Sequence, residues 1–187
     1  MFGWLASFGV QSRARSTTTV RWLAVSPRTL VEGLGQLGGV LYLAPAPSSA
    51  ATHWPTSPGC LVESADLAPL LATRYVGVTC AVTCEGPREW IDCVDADGGT
   101  VARVYLLPDT DYLAWDGLFA DALSADEPLR IAPDREWLRR CRATVMSFSR
   151  RRLAGFDILG ATKAPVSPLG RDVARDIAVF ASVAIVS

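Results

Sequence analysis

Apolar residues in this chain alternate with polar ones in some stretches and recur at helical spacing in others, with turn-forming residues between. The clearest case runs from Arg88 to Leu123. Trp90 to Asp95 reads as a strand, Ala96-Asp97-Gly98-Gly99 as a tight turn and Thr100 to Leu106 as the return strand. Asp-Gly supplies the positive φ that a hairpin turn needs. β-Branched and aromatic residues fill the return strand. Pro108 has no ladder donor and is expected to end it. Asp109 or Thr110 is then expected to cap a helix, with Asp111 complementing its N-terminal dipole. Tyr112, Trp115, Leu118, Phe119 and Ala122 make one apolar face at three- and four-residue steps. Trp115 reads as a core anchor between helix and sheet.

The rest of the chain extends this pattern. Gln11 to Thr19 shows Ser, Thr and Arg without periodicity, and residues 1–20 read as a flexible arm, leaving residues 21–187 as a single domain. Arg21 to Val25 fits either a short strand or a helix entry. Ser26-Pro27 opens a helix with Leu30, Val31, Leu34 and Leu37 on one side, ended by Gly38-Gly39. Val40 to Ala44 reads as a buried strand that Pro45 and Pro47 stop. Residues 45–59 read as a loop, Cys60 to Glu63 as a short strand and Tyr75 to Cys84 as a longer one. Gly86-Pro87 turns the chain into the hairpin. Asp134 is expected to cap a helix reaching about Phe148, with Trp137, Leu138, Cys141 and Val145 inward. Gly155 to Pro168 reads as a loop with a short strand at Phe156 to Leu159. Gly170 to Ser187 supports a helical period and a strand period equally. The expected class is α+β: an antiparallel sheet with helices packed on it.

Composition narrows the function classes. The chain has 187 residues, half of them apolar and a fifth charged, enough for an ordinary core and too apolar for disorder. The net charge of −1 gives no global field for nucleic acid or membrane. Five cysteines, an odd count, fit reduced thiols and a cytoplasmic setting better than a disulfide framework. The apolar start Met1 to Phe8 has no basic residue before it, so it does not read as a signal peptide. The apolar end, Ile177 to Val186, is too short to span a bilayer.

The order Asp95-Ala96-Asp97-Gly98-Gly99-Thr100-Val101-Ala102-Arg103-Val104-Tyr105, followed by Asp111-Tyr112-Leu113-Ala114-Trp115, resembles a segment of the HemS/HmuS/ChuX heme-utilisation family. That segment is a strand, a D-x-x-G turn, a K/R-V-Y strand and a D-x-x-A-W helix. Upstream, Asp66-Leu67-Ala68-Pro69-Leu70-Leu71 is similar to the family's D-L-R-L-F-L stretch, with Ala68 where the family has arginine. The resemblance covers residues 30 to 125 and implies a single-repeat, ChuX-like domain that pairs as a homodimer. It also implies intracellular heme binding for iron utilisation, as a carrier or store more than a catalyst.

His53 is the chain's one histidine. Imidazole is a common axial ligand of heme iron. Ala51-Thr52-His53-Trp54 is the positional match for the family's A-V-H-E histidine, so His53 is the candidate metal ligand; the competing reading is a surface-loop histidine. Tyr75 and Tyr105 are further candidates as ligands or ring contacts. Seven arginines lie between Arg135 and Arg152. Guanidinium forks bind carboxylates bidentately, so Arg103 with one or more of Arg139, Arg142 and Arg150 are candidates for the heme propionates. The other readings of the run are a solvated helix face or, more weakly, a phosphate-binding patch. Cys80 and Cys84 lie about 13 Å apart on an extended strand; with no CxxC or zinc spacing, all five cysteines read as small core residues. No G-x-S-x-G, Walker loop, H-E-x-x-H or dinucleotide fingerprint occurs. The competing function is an interaction protein of the same fold that binds no heme.

Overall fold

The computed structural model describes residues 18–46, 56–83, 86–129 and 134–186. His53, Cys84 and nearly all of the expected arm lie outside them. The elements run in the order β1 (Thr18–Ala24), α1 (Pro27–Leu34), β2 (Gly38–Pro45), β3 (Cys60–Val62), a 3-10 helix (Ala65–Ala72), β4 (Tyr75–Thr83), β5 (Gly86–Val94) and β6 (Thr100–Thr110). There follow α2 (Tyr112–Gly117), β7 (Leu123–Ser124), α3 (Asp134–Arg140), β8 (Cys141–Leu153), β9 (Phe156–Lys163), α4 (Pro168–Ala181) and β10 (Ala184–Val186).

All strands join one sheet in the order β3-β9-β8-β2-β6-β5-β4-β1-β7, with β10 beside β8. Most pairs are antiparallel, but β3 with β9 and β10 with β8 are parallel, so the sheet is mixed rather than antiparallel throughout. Its two faces carry separate cores. On one, α1, the 3-10 helix and the α2 region bury Leu30, Leu34, Leu67 and Trp115 against Val40, Val104 and Phe148. On the other, α3 and α4 bury Trp137, Ala174 and Ile177 against Leu41, Leu43 and Tyr105. The period-two alternation of β2 and β6 feeds both cores, which is why those strands read as nearly continuous apolar runs.

Local signals behave as their chemistry requires. The Ser26 side chain accepts from Thr29 N and Pro27 opens α1. Asp95 Oδ1 accepts from the Asp97 and Gly99 amides and closes the hairpin turn, with Gly98 at φ +81°. The cap of α2 is Asp111, which accepts from Ala114 N at 3.0 Å, rather than Asp109 or Thr110. Asp109 instead crosses to the start of α4, accepting from Ser167 N at 2.8 Å and Ser167 Oγ at 3.0 Å.

Three readings are corrected. Pro108 does not end β6: the ladder with β2 shifts between Gly38 and Val40, and Pro108 sits in that bulge, past the last β5 pair at Tyr105. The helix expected to reach Phe148 stops at Arg140, and Cys141 to Leu153 is a strand. Trp137, Cys141 and Val145 recur every four residues, a spacing that suits two strand periods as well as one helical turn. Cys80 is exposed on β4, beyond the helices that cover Val76 and Val78, whereas Cys60, Cys93 and Cys141 are buried. The undecided C-terminus resolves into both forms, α4 followed by β10.

At one edge of the sheet, fully buried Asp157 on β9 gathers arginines from three directions. Arg150 Nη2 lies 2.7 Å from its Oδ1, Arg28 Nε lies 3.2 Å from Oδ2, and Arg152 Nε is 3.5 Å away. Glu32 takes a second contact from Arg150 at 2.7 Å, which ties α1 to the β8–β9 edge. The hydrogen bond from Arg150, against the opposing effect of burial, holds the Asp157 carboxyl below its ordinary 3.8. A depressed carboxyl pKa contributes stability above its unfolded value, and that stability is lost as pH falls through the folded value. Asp157→Asn is therefore expected to lower stability at neutral pH and to flatten the acid limb of the stability curve, read by urea denaturation from about pH 7 to about pH 2.5. A Cβ on Gly170 would run into the Asp109 carboxylate. Gly170→Ala is expected to cost about 1–3 kcal/mol through overpacking and loss of that cross-link, read in the urea midpoint.

Candidate anion-binding site

The hairpin register places a buried ion pair in the middle of the second face. Arg103 on β6 stands directly opposite Asp92 on β5, in a row that continues to Leu43 on β2 and to Gly77 and Trp22 on β4 and β1. Arg103 Nε donates to Asp92 Oδ1 at 2.6 Å. Both are nearly inaccessible, at 6% and 3% exposure. Trp90 Nε1 donates to the other Asp92 oxygen at 3.1 Å, and Arg103 Nη1 reaches the Tyr105 hydroxyl at 3.4 Å. The guanidinium carbon lies 5.5 Å from the Trp90 ring centre, 5.6 Å from Trp137 and 5.9 Å from Tyr105. Three aromatic rings thus surround one desolvated cation, where the ring quadrupoles favour positive charge. Burial works against the charge on Arg103, but Asp92 and the Tyr105 hydroxyl outweigh it and raise its pKa.

This register depends on a second bulge. Cys93 pairs with Ala102, but Val94 pairs with Thr100, so Val101 is the extra residue. Counting outward from the turn without that shift would set Arg103 opposite Ile91. The bulge also sends Val101 toward the first core, so Val101 does not share a face with Arg103 and Tyr105 as alternation alone suggests.

Beside the ion pair opens a cavity of about 490 Å³, within the range of small-molecule and cofactor sites. Arg103 and Tyr105 form its floor, Arg135, Leu138 and Arg139 of α3 one wall, and Phe180 to Ser182 at the end of α4 the other. Among the described residues its lining holds three arginines and no acid. Phe180 is 76% exposed, so an aromatic ring stands at the mouth. Ser182 adopts a left-handed conformation, φ +56°, and caps α4 by donating to Ala178 O and Val179 O, which sharply turns the chain there. Trp137, whose ring lies against the Arg103 guanidinium, is not part of this lining, and its Nε1 is buried without a hydrogen-bond partner among the described residues. A cavity with these arginines suits a molecule that carries carboxylates.

Of the residues singled out from sequence, Arg103, Tyr105 and Arg139 meet at this cavity. Tyr75 is on the same face but at the far end of β4, opposite Val94 and Ala24. Arg142 and Arg150 alternate onto the other face of β8, Arg142 exposed and Arg150 bound to Asp157 and Glu32. The arginine run is therefore not one patch. Asp92, Trp90, Trp137 and Arg135 were not singled out as site residues; the one sequence signal for Asp92 is a charge between the apolar neighbours Ile91 and Cys93. Cys141, whose Sγ contacts Trp137 O at 3.3 Å, is pushed up to about 12 by burial, despite the opposing charges of Arg103 and Arg140. It stays a neutral thiol and does not supply a thiolate. Among the described residues, no helix is long and apolar enough to cross a membrane, and no cluster of metal-binding side chains occurs.

No protein-family model matches the sequence, and no curated protein matches it. Among solved structures the chain is similar to ChuS, a heme degrading enzyme of Escherichia coli O157:H7, with 17% identity and a TM-score of 0.41 over 64% of this chain and 40% of that one. It is also similar to holo-PhuS, a heme-binding protein from Pseudomonas aeruginosa, with 18% identity and a TM-score of 0.37 over 60% of this chain and 37% of that one. The chain thus corresponds to between 37% and 40% of the length of these proteins.

Breaking a buried pair from one side leaves an unpaired charge. Asp92→Ala is expected to destabilise the fold by about 3–5 kcal/mol. Replacing both members with apolar residues, Asp92→Leu with Arg103→Met, is expected to recover most of that loss in the same urea titration.

Proposed function

We propose that this chain binds heme in the cavity beside Arg103 and serves as a heme carrier or store in iron utilisation. The observation that carries the reading is the convergence of Arg103, Tyr105 and Arg139, chosen from sequence, on one cavity that also holds Arg135 and, among the described residues, no acid. The HemS/HmuS/ChuX-like order of residues 95–115, which contains Arg103 and Tyr105, supports the same reading. In this reading Arg135 and Arg139 meet the propionates as guanidinium forks. Arg103, already engaged by Asp92, supplies fixed positive charge at the floor. Tyr105 and Phe180 offer ring contacts. His53 is the proposed axial ligand and Tyr75 a more distant alternative. Bound heme would supply its own redox and oxygen chemistry, while the protein would contribute orientation, charge and exclusion of water.

A single-repeat, ChuX-like domain that pairs as a homodimer in the cytoplasm belongs to the same proposal. Nucleic acid is disfavoured, because the arginines between Arg135 and Arg152 are divided between the two sheet faces and partly neutralised by Asp157, Glu32 and Glu63. The other reading, an interaction protein of this fold without heme, predicts no saturable heme binding.

Hemin titration followed by absorbance tests the proposal. Saturation at one heme per chain is expected. Arg135→Ala with Arg139→Ala is expected to weaken binding roughly tenfold or more, from the typical strength of charged hydrogen bonds. Heme with both propionates esterified should bind poorly to the wild type and be indifferent to those substitutions. His53→Ala is expected to shift the Soret band. Absence of a saturable shift in the wild type overturns the reading.

A further inference from the structure

A second cavity, of about 670 Å³, shares no lining residue with the first. It runs between α4, the end of β9 and β10. Its walls are aliphatic, with Val145, Val166 and Ile185 facing Ala174 and Ala178, which lie one turn apart on α4. These alanines, with Ala164, leave room that larger side chains would fill. Among the described residues, no aromatic ring and no hydroxyl or amide side chain lines the cavity, so these walls offer nothing to stack on a planar ligand or to read a polar one. Its charged lining residues among the described ones are Lys163, Arg171 and Arg175, all exposed and all cationic. Arg171 Nη1 donates to Val166 O at 2.7 Å, which fixes its guanidinium at the wall. Arg175 pairs with Asp172 at 2.8 Å on the helix surface, both more than half exposed. Such a pair contributes little and exchanges readily for another carboxylate.

β10 makes this cavity possible. β9 occupies the edge of β8 from Met146 onward, and β10 takes the same edge at Arg142 to Thr144. The Ser182 turn carries the chain from α4 across to that position. A strand with exposed Ile185 and Val186 is thereby laid along the far wall.

We infer that this groove binds a fatty acid, its aliphatic chain against the alanine and valine walls and its carboxylate between Lys163 and the arginines of α4. Apolar burial supplies the affinity and the cations supply the sign of the head group.

The test is isothermal titration calorimetry with laurate below its micellar range, using dodecanol and dodecyltrimethylammonium as probes of head-group charge. Laurate is expected to saturate at one per chain. Dodecanol to the wild type, and laurate to the Lys163→Glu, Arg175→Glu double variant, should each bind roughly tenfold or more less tightly than laurate to the wild type, from the loss of charge-assisted contacts. Ile185→Trp, at a half-exposed wall position, should abolish laurate binding with the thermal midpoint unchanged, and Ala178→Trp should do the same if it folds. Hemin titration of the Ile185 variant should match the wild type, because the two cavities are separate. The inference is overturned if Ile185→Trp leaves laurate binding intact, if dodecyltrimethylammonium binds as tightly as laurate, or if hemin displaces laurate one for one.

Discussion

The Arg103–Asp92 pair is the constraint around which the second face of the sheet is arranged. Two opposite charges at 2.6 Å inside an apolar layer persist only if their remaining polar atoms are satisfied and water is excluded. Trp90 meets the second Asp92 oxygen, and Tyr105, Trp90 and Trp137 surround the guanidinium. That requirement draws α3 down onto the sheet, since Trp137 belongs to it. The same packing leaves Arg135 and Arg139 at the edge of a cavity instead of dispersed in solvent. Stability and the candidate site thus draw on one set of contacts.

β8 links this arrangement to the rest of the fold. Its residues alternate between a face covered by α3 and α4 and a face covered by α1, so the arginines around it serve different ends. Arg139, on the helix before the strand, lines a cavity. Arg150, inside it, neutralises a buried aspartate and anchors α1. The strand is also longer than any single partner on its outer edge, and β9 and β10 divide that edge between them. The gap where they meet, roofed by α4, is the aliphatic groove.

Much of this was legible in the residues because it depends on neighbours close in sequence. Ser26-Pro27, the Asp95–Gly99 turn and the paired strands around it are set by local backbone preferences, and Trp115 is a core residue, its Nε1 donating to Glu89 at 3.2 Å. The family-like order of residues 95–115 pointed to Arg103 and Tyr105, and both are at the cavity. Spacing of four between Trp137, Cys141 and Val145 was silent on helix against strand, because it places residues on one side in either form.

What the chain determined alone is therefore its local vocabulary: caps, turns, the hairpin and the residues fit for an apolar interior. What tertiary structure decided is register and partnership. Pro108 was tolerated inside β6 because a bulge and an open edge removed the need for its missing donor. Arg103 met Asp92 because Val101 is the extra residue of a bulge. The helix at Asp134 ended at Arg140 because β2 and β9 offered Cys141 to Leu153 two ladders to join. Those choices depend on hydrogen-bond partners far away in sequence, and no local preference encodes a partner that the fold has yet to bring near.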